Sequence, residues 1–540
     1  MATVYSDALR ETRAGSGDVM ARMKSRRTFL ADISRVAAAS ALAGGIGGTA
    51  SAQGTGQATE AALKELADSF KANAWGQIVR PGGAGYNKIT YYNARFDCLK
   101  RTTFLRPANA EGVRDIVTWA NRHGRTLAIR GGGHSFEGKS SHPDLVIDMS
   151  HLTKHTFKDG VLEVQAGVVL GDVYKTLSPK GFVLPAGTCP TVGIVGHTLG
   201  GGIGDFLPMF GYAAQSLTAA TLVTMGGSIL DVSEDDITVR GDGDVPARDL
   251  KGPDLLRLMR GGGQGTFGVV TSMTFKAHDV RQAKLGNFKI AATSPVSAVR
   301  AIAILKAWQD WRVGSPESMQ SLVSAKLNLS RDGSGYGIDI AGLIVIPADA
   351  KTTMAEIRKS LAVLFQMPDL QRKTFKDNIS VPAAIQSFLD TDETTRNPKR
   401  RFLYGSSSSM ERALPLPALT FLIQTLSAPI FASLYTSGGN SKKGVATSLH
   451  PSEFLIEWST YSPRRNATAH RDIRALNAEM MKRAGFDDHA FPNYPDADAR
   501  DYSPDKERIS MLRAQFDPKT ISTSSLFGDR PAGWPESTCR

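Results

Sequence analysis

Three consecutive glycines confine a chain to tight, backbone-lined loops, and this sequence has the pattern three times. Arg130-Gly131-Gly132-Gly133-His134-Ser135 is the first, and Gly187-Thr188-Cys189-Pro190-Thr191-Val192-Gly193 runs on to the second at Gly200-Gly201-Gly202. The third lies within Leu258-Met259-Arg260-Gly261-Gly262-Gly263-Gln264-Gly265-Thr266-Phe267-Gly268-Val269-Val270. Without Cβ atoms, successive N–H groups can curl around phosphate oxygens as an anion-binding nest. Each of the first two segments also presents one nucleophilic side chain, His134 and Cys189. The short strand Thr126-Leu127-Ala128-Ile129 leads straight into the first nest, an arrangement suited to a pyrophosphate. No G-x-G-x-x-G follows an early strand with an acidic residue some twenty positions on, which disfavours a Rossmann fold and a nicotinamide cofactor.

At 540 residues the chain exceeds one ordinary core, and two domains are expected. Residues 1–52 stand apart: Ser25-Arg26-Arg27-Thr28-Phe29-Leu30 precedes a small-residue, mildly apolar stretch from Val36 to Gly48, and Ala50-Ser51-Ala52 offers a cleavage site. This reads as a twin-arginine export signal, with the export machinery as its partner and the periplasm or exterior as destination. No later apolar run approaches the roughly 20 residues of a membrane helix, so no span is expected. The net charge of +12 falls to +9 without the first 52 residues, because seven Lys/Arg there oppose four Asp/Glu. The remaining cations form no aromatic-interleaved stripe, so no nucleic-acid partner is expected. Three cysteines, Cys98, Cys189 and Cys539, are too few for a disulfide framework, and a Cys98–Cys539 bond stays open.

Residues 53 to about 85 read as a linker and entry segment. Asn109 is placed to cap a helix with the stripe Val113, Ile116, Val117 and Ala120, ending at Gly124. Strands are expected at 145–149, 161–164 and 268–275, a helix near 172–177, and a hairpin over 222–232 turning at Gly226-Gly227. From about 279 the pattern changes to longer alternating strands, such as 336–345 and 454–462. Helices near 297–312, 351–365 and 466–484 interleave with them. The turn-rich segment Phe491-Pro492-Asn493-Tyr494-Pro495-Asp496 is placed to return to the first domain.

The order, spacing and residue types of these glycine blocks resemble the berberine-bridge-enzyme-like family of FAD-linked oxidases, within the wider vanillyl-alcohol-oxidase/PCMH-type fold. The resemblance spans about residues 95–500. It implies an α+β fold: a two-part PCMH-type FAD-binding domain over 53–278 and a substrate domain over 279–472 with an antiparallel sheet covered by helices. A C-terminal segment, 473–540, then returns to the FAD domain. The implied cofactor is FAD, attached through His134 to the flavin 8α-methyl group and, in the bicovalent pattern, through Cys189 to flavin carbon 6. Its surroundings are expected to include Arg130, Gly131, Gly132, Gly133, Ser135, Gly187, Thr188, Val192, Gly193, Gly196, Gly200, Gly201, Gly202, Gly204, Val269, Val270 and Asn493. His197 is expected to support the flavin loop, and Val192, a small aliphatic residue where oxidases carry one, implies oxygen as electron acceptor.

Oxidising an alcohol requires a base for the hydroxyl proton and a hydride acceptor, converging on one carbon. Two residues match family positions for the proton: Glu457 in Phe454-Leu455-Ile456-Glu457-Trp458, and Tyr494 in Asn493-Tyr494. Tyr461 is a third possibility. By strand alternation Leu455, Glu457 and Ser459 share one face and Trp458 the other. The expected function is an FAD-dependent oxidase of a small-molecule substrate. Sugars and oligosaccharides are favoured over aromatic alcohols or amines, and a dehydrogenase or a flavin-binding protein without turnover are the alternatives.

Overall fold

The computed structural model describes residues 60–525 apart from short stretches, the longer of which are 97–101, 390–401, 443–445, 463–465 and 495–500. The export-signal segment, Cys98 and Cys539 lie outside the described residues.

The first part of the chain builds two sheets. A four-stranded sheet runs in the order Gly76–Val79, Thr103–Pro107, Leu145–Asp148, Ala128–Arg130. Its first pairing is antiparallel and the other two are parallel. The helix Ala110–Arg122 covers it as its periodicity predicts, with Val113, Ile116, Val117 and Ala120 fully buried. Its cap is Asn109, whose side chain accepts from the Gly112 N–H at 2.9 Å. A six-stranded antiparallel sheet follows in the order Ile237–Arg240, Ile229–Ser233, Leu217–Val223, Val269–Lys276, Val161–Gln165, His155–Lys158. The hairpin expected over 222–232 is there, with Val223 opposite Ile229 and Gly227 at a φ of 98° in its turn.

Within the linker and entry segment expected over 53–85, residues 60–79 form structural elements instead. Glu60–Asn73 is a helix and Gly76–Val79 an edge strand. Ala62, Leu63, Leu66 and Phe70 recur at helical spacing, and all four enter the core. The Trp119 indole N–H donates to the Ala62 carbonyl at 2.8 Å and ties this helix to Ala110–Arg122.

The later part forms a seven-stranded antiparallel sheet. Its order is Arg372–Asp377, Lys284–Ala291, Gly335–Ile346, Lys326–Asp332, Ile430–Thr436, Phe454–Ser462, Phe402–Met410. Period-two alternation gives it two different faces. Leu327, Leu434, Ile456 and Trp458 point into a core made with the helices Ala298–Gly314, Leu416–Thr425 and Ala469–Ala484. Trp308 and Trp458 are fully buried there. Lys326, Ser433, Tyr435, Glu457 and Tyr461 point the opposite way, toward the glycine loops.

The chain then returns to its beginning. The helix Lys506–Phe516 packs on Gly252–Gly262, and Ser522 forms a parallel bridge with Leu127. A second junction lies at the edge strand Phe402–Met410, where Asn93 occupies the place of a neighbouring strand. Its amide donates to the Leu403 carbonyl at 2.8 Å and accepts from the Leu403 N–H at 3.1 Å. Nearby, Arg95 pairs with Glu137 at 3.1 Å, both almost wholly buried, and its guanidinium lies 4.7 Å from the Tyr404 ring centroid.

Asn93 is fully buried, so Asn93→Ala leaves a strand N–H and C=O without these partners. Losing these bonds is expected to cost about 2–4 kcal/mol of stability. Denaturant unfolding checks this, and an unchanged midpoint would show that water replaces the amide.

Candidate active site

Two loops meet backbone to backbone. A Cβ on Gly132 would lie 2.4 Å from the Gly193 nitrogen, and one on Gly193 would lie 2.5 Å from the Gly132 nitrogen. Only glycine on both sides permits that approach. The second loop is held from behind by the start of the helix Leu170–Leu177. There the Leu170 N–H donates to Val192 O at 3.0 Å and the Gly171 N–H to Pro190 O at 2.8 Å.

His134 and Cys189 line the same cavity. The His134 ring stacks on Tyr92, with centroids 4.5 Å apart and planes 15° apart, and its Nε2 lies 2.8 Å from Thr191 Oγ1. Burial, then the charges of Arg130 and His197, lower its pKa to about 3. At neutral pH the imidazole is therefore uncharged and keeps the lone pair that a nucleophile needs. His197 holds the second loop: its Nε2 accepts from the Gly187 N–H at 3.0 Å, and burial lowers its pKa to about 4.

The cavity wall also includes Gly131, Gly132, Gly133, Ser135, Gly187, Thr188, Val192, Gly193, Gly196, Gly204, Val270, Asn493, Glu457 and Tyr494. Other expected residues lie behind it. The Arg130 guanidinium donates to Asp148 at 2.9 Å, with Arg106 on the other oxygen at 2.8 Å, so it braces the strand end. These cations hold the Asp148 carboxyl below its ordinary pKa against the opposing effect of burial. Val269 is fully buried in the first core. Gly200, Gly201 and Gly202 receive the returning C-terminal segment. The Gly202 N–H donates to Asn493 Oδ1 at 2.7 Å, and a Cβ on Gly201 would lie 2.9 Å from Leu449 and 3.1 Å from Phe491. Asn493 also donates to the His197 carbonyl at 3.0 Å. Its amide thus fastens the segment that presents Tyr494.

Opposite the glycine loops stands a group that sequence reading found only in part. Glu457 Oε2 accepts from the Tyr435 hydroxyl at 3.0 Å, and Oε1 accepts from Ser459 Oγ at 2.5 Å. Tyr494 lies next to Tyr435, and the two phenols influence each other electrostatically. Burial and then the neighbouring Glu457 charge raise both phenols well above their ordinary pKa near 10. Tyr461 lies beside this group, its hydroxyl 3.1 Å from that of Tyr92. Lys326 and Asp205 complete the wall. Burial raises the Asp205 pKa to about 6, with the Lys326 charge opposing it. Tyr435 and Lys326 were not singled out from sequence. The signal that could have found Tyr435 is the alternation of Ile430–Thr436, which pairs with Phe454–Ser462 and sets Ser433 opposite Glu457.

The wall fits a dinucleotide. At Gly196 a Cβ would meet nothing within 4 Å, and at Gly131 nothing closer than 3.6 Å, so bare backbone faces the cavity. The buried Ser140 hydroxyl on the same wall has no hydrogen-bond partner. Such a surface accepts phosphate oxygens.

Comparison with known proteins agrees. Residues 102–233 match the family model described as an FAD binding domain. The chain is 28% identical over 442 residues to the uncharacterized FAD-linked oxidoreductase YgaK of Bacillus subtilis (strain 168), covering 76% of this chain and 88% of that protein. It is 33% identical over 228 residues to berberine bridge enzyme-like 28 of Arabidopsis thaliana, covering 40% of this chain and 39% of that one. A solved structure of glucooligosaccharide oxidase from Acremonium strictum, described as carrying a 6-S-cysteinyl, 8α-N1-histidyl FAD, superposes with a TM-score of 0.68. It shares 18% identity and covers 87% of this chain and 100% of that one, which shows a common fold. A matched FAD-binding module, a cavity wall that accommodates the cofactor and a fold shared with PCMH-type oxidases make the chain an FAD-dependent oxidoreductase, similar in sequence to berberine-bridge-enzyme-like proteins.

Proposed function

We propose that this chain is an exported oxidase in which FAD, held covalently by His134 and Cys189, oxidises an alcohol carbon of a sugar or oligosaccharide and returns electrons to oxygen as hydrogen peroxide. The observation that carries the reading is the meeting of Glu457, Tyr435 and Tyr494 across the cavity from the glycine loops. Bound there, FAD supplies a two-electron acceptor for the substrate hydride.

The protein's part is to take the hydroxyl proton. Tyr494 accepts it while passing its own proton to Tyr435, which delivers its proton to Glu457. Burial keeps either phenol from ionising alone, so the carboxylate is the destination and the phenols conduct. Phe431 and Tyr461, stacked 5.7 Å apart at 2°, line the same cavity and offer an apolar surface for the flat side of a sugar ring. A benzylic alcohol could use that surface as well, so both belong in the test. Val192 on the cavity wall is a small side chain and supports oxygen as the acceptor.

The deciding experiment is anaerobic reduction of the bound flavin by a panel of sugars, aromatic alcohols and amines, followed by admission of air. Bleaching by an oligosaccharide with rapid recovery is expected, and Tyr494→Phe and Glu457→Gln should each slow bleaching by about 10² or more. Unchanged rates in both variants would remove the proton relay, slow recovery in air would indicate a dehydrogenase, and absence of bleaching would leave a flavin-binding protein.

Covalent attachment is tested by acid denaturation. Flavin should stay with the wild-type polypeptide and with either His134→Ala or Cys189→Ala, and separate from the double variant; retention by the double variant would show that the attachment sites lie elsewhere. For export, lysine substitutions at Arg26 and Arg27 should leave precursor in the cytoplasm, and normal export of that variant would rule out the twin-arginine route.

A further inference from the structure

Behind the glycine loops, three potential metal ligands from separate segments converge at a place none of the chemistry above uses. His450 belongs to the loop after residue 446, His489 follows the helix Ala469–Ala484, and Asp501 precedes the helix Lys506–Phe516. One ligand atom from each lies within 4.8 Å of the other two. His450 Nε2 is 3.2 Å from Asp501 Oδ1, and His489 Nε2 is 4.0 Å from Asp501 Oδ2. Ligands at about 2.0–2.1 Å on a tetrahedral zinc ion stand ~3.3 Å from one another, so the His450–Asp501 separation already suits one ion, and His489 must turn and move inward to join it.

The backbone holds the set together. His489 and Asp501 form a parallel β-bridge, and the Ala490 N–H donates to the Asp501 carbonyl at 3.1 Å. The two imidazoles stack with centroids 3.6 Å apart and planes 8° apart. The His450 side chain is only 8% exposed, and its buried Nε2 has the Asp501 carboxylate as its neighbour, a contact that falls short of hydrogen-bond geometry. A buried ring nitrogen so placed is costly unless something engages it. Lys506 Nζ lies 3.4 Å from Asp501 Oδ2 and shares that carboxylate with the site.

We propose that His450, His489 and Asp501 bind one divalent transition-metal ion of the zinc class, with solvent as a fourth ligand. Two imidazoles and one carboxylate are a nitrogen-rich set that suits zinc and its neighbours over magnesium or calcium. Binding requires the rings to splay from their parallel stack so that both lone pairs reach one point, with Asp501 supplying one oxygen. The ion would act as a clasp. Leu449 beside one ligand and Phe491 near another both pack against Gly201, so closing the site presses the loop before 452 and the segment bearing Tyr494 onto the glycine turn.

The test is isothermal titration of the intact, flavin-loaded protein, free of any oligohistidine tag and stripped with chelator, with Zn²⁺ and separately with Mg²⁺. One equivalent of Zn²⁺ is expected with micromolar or tighter affinity, and none of Mg²⁺. His489→Ala, partly exposed at 22%, and Asp501→Asn should each weaken Zn²⁺ binding by at least 30-fold, with melting temperatures in chelator showing that both variants are folded. A melting temperature that rises with Zn²⁺ in wild type and not in His489→Ala gives an independent reading. Absence of stoichiometric Zn²⁺ binding, or binding that both variants retain, would overturn the proposal.

Discussion

The site depends first on the contact between Gly132 and Gly193. A methyl group on either residue would strike the backbone of the other. That contact fixes the spacing of two loops that carry His134 and Cys189 on one cavity wall, and it sets a continuous strip of bare backbone between them. The strip comes from two separate regions of sequence, so neither nest is complete alone. Thr191, within hydrogen-bond distance of His134, makes the coupling explicit.

The opposite wall works by a different principle. The seven-stranded sheet spends one face on an apolar helix-covered core and releases the other for polar groups. Tyr435 and Glu457 come from adjacent strands, so their geometry is set by sheet register, whereas Tyr494 arrives on the C-terminal segment held by Asn493. Rigid placement from the sheet and a fastened loop bring three oxygen atoms into sequence. Their burial makes each more dependent on the next than it would be in water.

Much of this was legible in the sequence, for identifiable reasons. The Asn109 cap, the 222–232 hairpin and the strands at 336–345 and 454–462 follow from local signals that tertiary packing reinforced. His134, Cys189 and Glu457, marked by their motifs and by strand alternation, all lie on the cavity wall. The helix Glu60–Asn73 was missed because its apolar residues are flanked by many charged and small ones, and only packing against Trp119 shows which face is inward. Arg130 illustrates a subtler limit: its neighbours bind the cavity, but a buried carboxylate eighteen residues on, Asp148, turns its guanidinium the other way. Tyr435 escaped notice because pairing between strands is a non-local fact, and a tyrosine on a half-buried strand carries no mark of its own.

The fastening of Gly202 by Asn493, and of Leu127 by Ser522, has a bearing on biogenesis. The pieces that close the cavity are synthesised hundreds of residues after the glycine loops they close. A nascent chain therefore displays His134 and Cys189 long before the opposite wall of their cavity exists. Cofactor capture in such a molecule is a property of the finished polypeptide, and a truncated product lacking its final segment is an open, unsealed vessel.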